Sequence, residues 1–334
     1  MTDLPKGVRL KALPVHTLDD VPAAFTGAVV AVGNFDGMHA GHRTLLAVAR
    51  TEANRRGVPA VVLTFEPHPR TVLAPDKPVF RLSPLPAKAR LLQVLGMDAV
   101  VVAAFDRAFA TNTAEAFVDK FLVGSLKASA VVVGFDFHFG KGRGGTPAVL
   151  TELGAKKGFA VTVVEEVKED GAEISSSAIR DCLAEGDVAA ANRKLGYRWF
   201  AMGEVVRGAQ RGRELGYPTA NLELAPDCRL RAGVYAVRLQ RPDGTIHNGV
   251  ASYGRRPTFD DGPPLLEVFI FDFFGDLYGE VVAVSFVAWI RPELKFPSAV
   301  ALITAMDRDA DIARTILADA GPGTPLDQAL ATNS

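Results

Sequence analysis

The sequence predicts two domains of different class: an α/β domain with a parallel sheet, then a small antiparallel β-barrel that carries a C-terminal helix. The 334 residues exceed the roughly 100 to 200 residues of one typical domain. In the first half, short apolar strands alternate with helical patterns, which is typical of a parallel sheet. After about residue 200, strands follow one another without helices between them, which favours an antiparallel barrel.

Composition indicates an ordinary globular protein and excludes several classes. Hydrophobic residues make up 48% of the chain, too many for a disordered protein. The net charge of −1 argues against binding nucleic acid mainly by charge. Two distant cysteines, Cys182 and Cys228, predict neither a disulfide framework nor a zinc ribbon. We expect a cytoplasmic monomer or weak homo-oligomer with small-molecule substrates and with no nucleic-acid or membrane partner.

The first domain is predicted over residues 1–185. Its apolar strands are predicted at residues 27–33, 59–65, 99–105, 128–135 and 159–167. Its helices are predicted at residues 42–57, 85–96, 113–126 and 146–158, with Thr113 as a possible N-cap. Ligands of such sheets bind beyond the carboxyl ends of the strands, so function is expected in the loops that follow strands.

A linker at 186–200 and a barrel domain at 201–320 are predicted next. The linker pattern predicts a helix and a turn. Barrel strands are predicted at residues 200–208, 233–240, 247–254, 265–273 and 280–290, with a hairpin turn at Asp243-Gly244. A helix is predicted over residues 298–317, and residues 321–334, which lack periodicity, are predicted to form a flexible tail.

The segment GNFDGMHAGH joins the first predicted strand to the first helix. His39 and His42 are three residues apart, so they share a face where the helix begins. A helix N-terminus offers unpaired N–H groups and partial positive charge, so two imidazoles there suit a polyphosphate. Exposed histidines or metal ligands are the alternative interpretations. The predicted nucleotide-binding residues of this turn are Gly33, Asn34, Phe35, Asp36 and Gly37.

A second glycine-rich segment follows the fourth predicted strand. Residues 140–145 match the dinucleotide pattern G-x-G-x-x-G, but residues 135–139 separate them from the strand, whereas that fingerprint begins at the strand end. The preferred interpretation is a basic loop over a nucleotide, with Arg143 as a contact. Asp136 is predicted to accept hydrogen bonds from a sugar hydroxyl or base, or else only to form the turn.

A third motif, ISSSAIR, lies where another helix is predicted to begin. Ser175 and Ser176 offer hydroxyl and N–H groups there, and Arg180 lies four residues beyond Ser176 on the same helical face. This combination suits a leaving pyrophosphate. Serine is also common as an N-cap without any ligand.

Taken in order, these three motifs resemble the nucleotidyltransferase superfamily, and with FEPHP at residues 65–69 they resemble its FMN adenylyltransferase branch in bifunctional prokaryotic flavin enzymes. The resemblance implies that the FMN phosphate attacks ATP to give FAD and pyrophosphate. It further implies that His39 and His42 hold ATP phosphates, that Ser176 and Arg180 hold the transferred or leaving phosphates, and that Asp136 faces the nucleotide. Met38 stands where Val is more usual.

The barrel half begins with a glycine-rich basic loop followed by PTAN. Candidate nucleotide-binding residues in the loop are Gly208, Arg211 and Gly212. Thr219 and Asn221 alternate, so in an extended segment they point the same way. A hydroxyl and a carboxamide on one face can hold a metal and a phosphate. A polar barrel rim is the alternative.

The remaining barrel motifs resemble the riboflavin kinase family, which implies a six-stranded barrel. They are GVYAVRL, GVASYGRRPTF, LLEVFIFDF and WIRPELKF. The resemblance implies that Glu267 is the base that acts on the riboflavin 5′-hydroxyl, with Mg²⁺ bridging the ATP phosphates and Thr219 as its protein ligand. A carboxylate in so apolar a strand is otherwise an edge charge. Ser252 stands where the family usually has Asn.

We therefore predict a bifunctional enzyme that converts riboflavin to FMN and FMN to FAD, with ATP as co-substrate of both reactions. Three alternatives remain open at this stage. One of the two sites could be degenerate, the chain could bind or sense flavin without turnover, or the glycine pattern at residues 140–145 could mark a nicotinamide-dependent oxidoreductase.

Overall fold

A computed structural model of the chain describes residues 12–169, 172–208, 216–254 and 264–332. The chain divides into two compact units, of which the first ends at residue 175 and the second begins at residue 176. The helix at residues 176–185 therefore groups with the second unit by its packing. The functional boundaries at residues 185 and 200 remain predictions.

The first unit contains a six-stranded parallel sheet in the order β1-β4-β3-β2-β5-β6. Its strands are β1 Val15–Thr17, β2 Val29–Val32, β3 Ala60–Glu66, β4 Ala99–Ala104, β5 Ala130–Gly134 and β6 Ala160–Val164. The five predicted strands are confirmed. The sequence prediction missed β1, because three residues at a sheet edge are too few to show a period of two.

Helices cover this sheet. They are α1 Ala40–Arg56, α2 Pro69–Leu73, α3 Leu85–Val94, α4 Ala114–Phe117 and α5 Pro147–Lys157. Thr113 is the N-cap of α4, because its hydroxyl accepts a hydrogen bond from the Ala116 N–H. The predicted helix 113–126 is α-helical only in its first turn and π-helical over Val118–Ser125. The short strands β7 Lys168–Glu169 and β8 Ala172–Glu173 follow.

The second unit contains a closed antiparallel barrel in the order β10-β13-β12-β11-β14-β9. Its strands are β9 Phe200–Val206, β10 Thr219–Glu223, β11 Gly233–Gln240, β12 Ile246–Gly254, β13 Leu265–Ile270 and β14 Val281–Arg291. The predicted barrel and its Asp243-Gly244 turn are confirmed, with Gly244 in the left-handed region at φ 89°. Closure pairs every strand edge, so the barrel has no open edge.

Among the described residues of the second unit, four helices accompany the barrel: α6 Ser176–Glu185, α7 Val188–Leu195, α8 Ala299–Asp319 and α9 Pro325–Thr332. Ala310, Ala313 and Leu317 of α8 pack on an apolar cluster formed by strand residues of the barrel. The expectation of an irregular end is corrected for residues 325–332, which are helical. Tertiary contacts hold them, since Asp327 accepts from the Arg198 N–H at 2.8 Å and Leu330 is 6% exposed.

No helix in the described part of the chain is long and apolar enough to cross a membrane.

A bidentate ion pair connects the barrel to α8. Arg291, at the end of β14, donates to Asp309 through Nε at 2.9 Å and Nη2 at 2.6 Å. The Asp309 side chain is only 7% exposed. A bidentate pair of this kind fixes both position and orientation.

We predict that Asp309→Ala lowers the free energy of unfolding by about 3 kcal/mol, because it removes the buried carboxylate that pairs with the half-buried Arg291 guanidinium. Urea unfolding monitored by circular dichroism measures this change. The matched control is Asp272→Ala, which removes the exposed ion pair that Asp272 forms with Arg314 of α8. Exposed pairs contribute little, so equal losses in the two variants would contradict the prediction.

Candidate active sites

The first candidate site lies at the reversal point of the parallel sheet. From β2 the chain builds the sheet outward through β3 and β4, and it then returns to place β5 on the other side of β2. Ligands of open α/β sheets bind beyond the carboxyl ends of strands at this reversal. The turn after β2 and the loop after β5, which carry the predicted histidines and Asp136, both lie there.

The turn after β2 is buried over residues 35–38. Phe35 and Met38 are 0% exposed and have φ angles of 47° and 46°, a conformation that side chains other than Gly adopt only when their surroundings impose it. Ser83, which the sequence prediction missed, supports the turn. Its N–H donates to the Asp36 carboxylate at 2.8 Å, and its hydroxyl accepts from the Gly37 N–H at 2.7 Å.

His39 and His42 form a stacked pair at the start of α1. Their ring centroids are 3.9 Å apart with an interplanar angle of 26°. His39 is the N-cap residue, and its side chain caps no backbone N–H group. Gly41 leaves room for it, since a Cβ there would lie 3.3 Å from the His39 ring. The predicted shared face of the two histidines is confirmed.

The surroundings of the two imidazoles lower the pKa of each. Burial lowers the pKa of His39 to about 4, with a further contribution from Arg43, while Asp136 and Asp36 oppose that shift. Burial, together with the charges of His39, Lys88 and Arg43, holds the pKa of His42 well below its usual value. The Nδ1 atoms of both rings are buried and have no hydrogen-bond partner. Such unsatisfied atoms indicate a place for a polar ligand.

The loop after β5 places Asp136 close enough to His39 to affect its pKa. Asp136 is exposed, and its carbonyl oxygen contacts His138 Nδ1 at 2.7 Å. Arg143 is also exposed, in the 3-10 turn Lys141–Arg143. The strand ends at Gly134, six residues before Gly140, so the 140–145 glycine pattern lacks the geometry of a dinucleotide fingerprint.

The serine motif is located on the helix that packs with the second unit. Ser176 is the first residue of α6, and Arg180 is half-buried on the same helix. Arg231 attaches the end of α6 to the barrel unit: its N–H donates to Leu183 O at 3.0 Å and its Nη1 donates to Glu185 O at 2.8 Å. The assignment of Ser175, Ser176 and Arg180 to phosphates stays a prediction.

The second candidate site is a row of polar residues across three barrel strands. Asn221 of β10 pairs with Glu267 of β13, which pairs in turn with Ser252 of β12. Glu267 shares its face of the sheet with Phe269, because side chains alternate along a strand. Phe269 packs on the apolar cluster that includes α8. The row therefore lies on the outer face of the barrel, beside the region that α8 covers.

Asn221 has the features of a binding residue. It is 4% exposed, and its Nδ2 donates to Thr219 O at 3.1 Å, while its Oδ1 is buried without a partner. Gly208 makes room for it, since a Cβ at Gly208 would lie 2.6 Å from the Asn221 carboxamide. The other predicted loop residues, Arg211 and Gly212, lie outside the described residues.

Glu293 adds a second carboxylate near Glu267. Partial desolvation raises the pKa of Glu293, and the charge of Glu267 raises it further, against the lowering effect of Ser252. The Ser252 hydroxyl lies 3.5 Å from Glu293 Oε1. Ser252, which stands where the family usually has Asn, therefore lies next to Glu293. The sequence prediction missed Glu293, because nothing in IRPEL distinguishes it from a surface residue.

Comparison with known proteins matches each unit to a different family. Residues 21–178 match the FAD synthetase family and residues 195–317 match the riboflavin kinase family. The bifunctional riboflavin kinase/FMN adenylyltransferase of Haemophilus influenzae is 38% identical over 300 residues, which cover 90% of this chain and 97% of that protein. The Escherichia coli K12 protein of the same name is 39% identical over 90% of this chain and 95% of its own length.

The chain belongs to the bifunctional riboflavin kinase/FMN adenylyltransferase family. The resemblance, the fold class and the pair of family activities predicted from the sequence are thereby confirmed. A crystal structure from Streptococcus pneumoniae, described as a macrolide-efflux protein, is 32% identical with a TM-score of 0.78, over 90% of this chain and 98% of that chain. The two proteins share a fold.

We predict that the His39 and His42 rings stay neutral at pH 7 and that His39 titrates near pH 4. The folded chain binds these protons less readily than the unfolded chain. The contribution of His39 to the free energy of unfolding is therefore fully present above about pH 6.5 and is lost as the pH falls toward 4. Histidine ring NMR measures the titration, and unfolding midpoints measure the stability. Titration of His39 near 6.5 would contradict the prediction.

We predict that Gly208→Ala impairs phosphorylation of riboflavin, because the added methyl group would displace the Asn221 carboxamide. The rate of FMN formation from riboflavin is the measurement. The matched control is Gly203→Ala in β9, whose Cβ would lie at an ordinary 3.4 Å from Leu222. Equal activity in the two variants would show that the position of Asn221 does not matter.

Proposed function

We propose that the first unit adenylates FMN at the reversal point of its sheet and that the barrel phosphorylates riboflavin on its outer face, both with ATP. The observation that carries the first assignment is the stacked pair of His39 and His42 at the N-terminus of α1, with both Nδ1 atoms buried and unpartnered. The family of the chain pairs these two activities.

In the adenylation, a phosphate oxygen of FMN attacks the α-phosphorus of ATP. A bond forms between that oxygen and the phosphorus, the bond from the α-phosphorus to the bridging oxygen breaks, and pyrophosphate leaves. The nucleophile is already an anion, so this step requires alignment and charge stabilisation rather than a strong base. We assign the binding of ATP phosphates to the first N–H groups of α1 and to the two neutral imidazoles.

The remaining residues of the first site have supporting roles in this proposal. Asp36 and the Ser83 hydroxyl hold the turn in its strained conformation, so that the backbone can approach the nucleotide. Asp136 accepts hydrogen bonds from the nucleoside, and Arg143 contacts phosphate from the loop after β5. Ser176 and Arg180 hold the leaving pyrophosphate.

In the kinase reaction, the riboflavin 5′-hydroxyl attacks the γ-phosphorus of ATP, its proton passes to Glu267, and ADP leaves. A neutral alcohol is a weak nucleophile, so a positioned carboxylate contributes directly to the rate. The charge of Glu267 contributes to the raised pKa of the neighbouring Glu293 carboxyl, so the two carboxyl groups lie close enough to interact.

We propose that Mg²⁺ accompanies ATP in the barrel site. The described residues contain no cluster of three or more His, Cys, Asp or Glu that could hold a metal. The Thr219 hydroxyl and the buried, unpartnered Asn221 Oδ1 are hard oxygen donors, and Mg²⁺ in nucleotide sites commonly takes one or two protein ligands, with phosphate and water for the rest. These two residues therefore fit the ion, which would neutralise the charge of the phosphates.

We also propose that the protein acts in the cytoplasm as a monomer or weak homo-oligomer. The need for ATP in both reactions supports the location. Cell fractionation tests the location, and sedimentation over a range of concentrations tests the oligomeric state. A stable oligomer at low concentration would overturn the second part.

We predict that Glu267→Gln lowers FMN formation by roughly a hundredfold or more, the usual contribution of a general base, and leaves FAD formation from supplied FMN unchanged. His42→Ala is expected to do the converse. Chromatography of flavins after incubation with ATP and Mg²⁺ measures both reactions in each variant. The unaffected activity reports on folding within the same sample.

The matched control for the carboxylate is Glu204→Gln, an exposed glutamate on strand β9 of the same barrel. It is expected to keep both activities. Loss of both activities in either site variant, with folding intact, would argue against separate sites. Full kinase activity in Glu267→Gln would remove Glu267 from the mechanism.

A further inference from the structure

A buried lysine lies beneath the first site. Lys88, on α3, is 3% exposed, and its Nζ donates to the Thr64 hydroxyl at 3.1 Å and to the Glu66 carboxylate at 3.0 Å. Lysine is almost never this buried unless it is paired, and desolvating an ammonium group is costly. The burial of Lys88 therefore requires a physical explanation.

The hydrogen bonds of Lys88 lead directly to the nucleotide turn. Thr64 Oγ1, which accepts from Lys88, donates in turn to the carbonyl oxygen of Asn34 at 3.2 Å. Asn34 is the second residue of the turn after β2. Lys88 is therefore two hydrogen bonds away from the backbone that carries His39.

Lys88 shares its carboxylate partner with a second cation. Glu66 pairs with Lys88 at 3.0 Å and also with Arg81 at 3.6 Å, so two cations share one carboxylate. The positive charge reaches the histidine pair, because Lys88 is among the groups that lower the pKa of His42, together with His39 and Arg43. The charges of Asp136 and Asp36 raise the pKa of His39.

We propose that Lys88 is a positioning residue for adenylyl transfer: through Thr64 it holds the Asn34 turn, and it supplies a fixed positive charge beside His42 where the ATP phosphates bind. This inference rests on the proposed role of the histidine pair. A fixed charge in a site of low dielectric constant stabilises developing phosphate charge without reorganisation during the reaction.

A purely structural role predicts a different outcome. Buried ion pairs can be replaced by uncharged groups of similar volume with little loss of stability, whereas removal of one partner alone is strongly destabilising. The double variant Lys88→Met with Glu66→Gln removes both charges and keeps both side-chain lengths. If Lys88 serves only to neutralise Glu66, this double variant restores the stability and the FAD formation that the single variant Lys88→Met loses.

The experiment measures FAD formation from FMN and ATP in the full-length wild type, the single variant and the double variant. We expect kcat to fall by roughly tenfold to a hundredfold in both variants, the range that displacement of a reacting group produces, with a smaller change in KM for FMN. Ring NMR of His42 is expected to show a raised pKa in both variants, since a neighbouring positive charge has been removed.

The matched control is Lys157→Met, which removes a surface lysine paired with Asp119 at 2.8 Å. It is expected to keep wild-type FAD formation. FMN formation from riboflavin by the barrel, measured in the same samples, reports on the integrity of the second unit. Thermal unfolding of each variant reports on the first.

Wild-type kcat in the folded double variant would overturn the proposal, and so would an unchanged His42 titration in a folded variant. If Lys88→Met does not fold, the double variant decides alone. A separate result, retention of FAD formation in His42→Ala, would reject the proposed role of the histidine pair without any change in the Lys88 measurements. The two failures are therefore distinguishable.

Discussion

A parallel sheet places the carboxyl ends of all its strands at one edge, and the first site depends on this constraint. Because β2 lies between β3 and β5, the turn that carries His39, the strand that ends at Glu66 and the loop that carries Asp136 converge at that edge. Residues separated by about a hundred positions in the chain then act on one another electrostatically. The helix dipole of α1 adds positive potential at the same place.

The barrel site obeys a different geometric rule. Antiparallel pairing sets Asn221, Glu267 and Ser252 side by side across three strands, and cross-strand neighbours have Cβ atoms about 5 Å apart. The site is therefore built from strand faces rather than from strand ends. Because Gly208 has no side chain, the Asn221 carboxamide can pack closely against it. The absence of a Cβ at Gly208 therefore fixes the position of the Asn221 side chain.

The electrostatics of the two sites follow the chemistry of their nucleophiles. The first site faces an anionic nucleophile and an anionic co-substrate, and it holds neutral imidazoles, a helix N-terminus and the nearby charge of Lys88. The barrel site faces a neutral alcohol and holds two neighbouring carboxyl groups, and the charge of Glu267 contributes to the raised pKa of Glu293. The near-zero net charge of the whole chain is compatible with both sites, because the electrostatic potential at each site depends on the charges placed around it.

The sequence alone determined both fold classes, five of the six barrel strands (all but β10), the shared face of His39 and His42 and the candidacy of Glu267, because these follow from local periodicity and short motifs. The tertiary structure alone decided which groups meet. Ser83, Lys88 and Glu293 were missed because their partners are distant in the chain, although Lys88 precedes the buried Leu91 and Leu92 by three and four positions, on their face of α3. Helix α9 was missed for the same reason, since packing rather than pattern stabilises it.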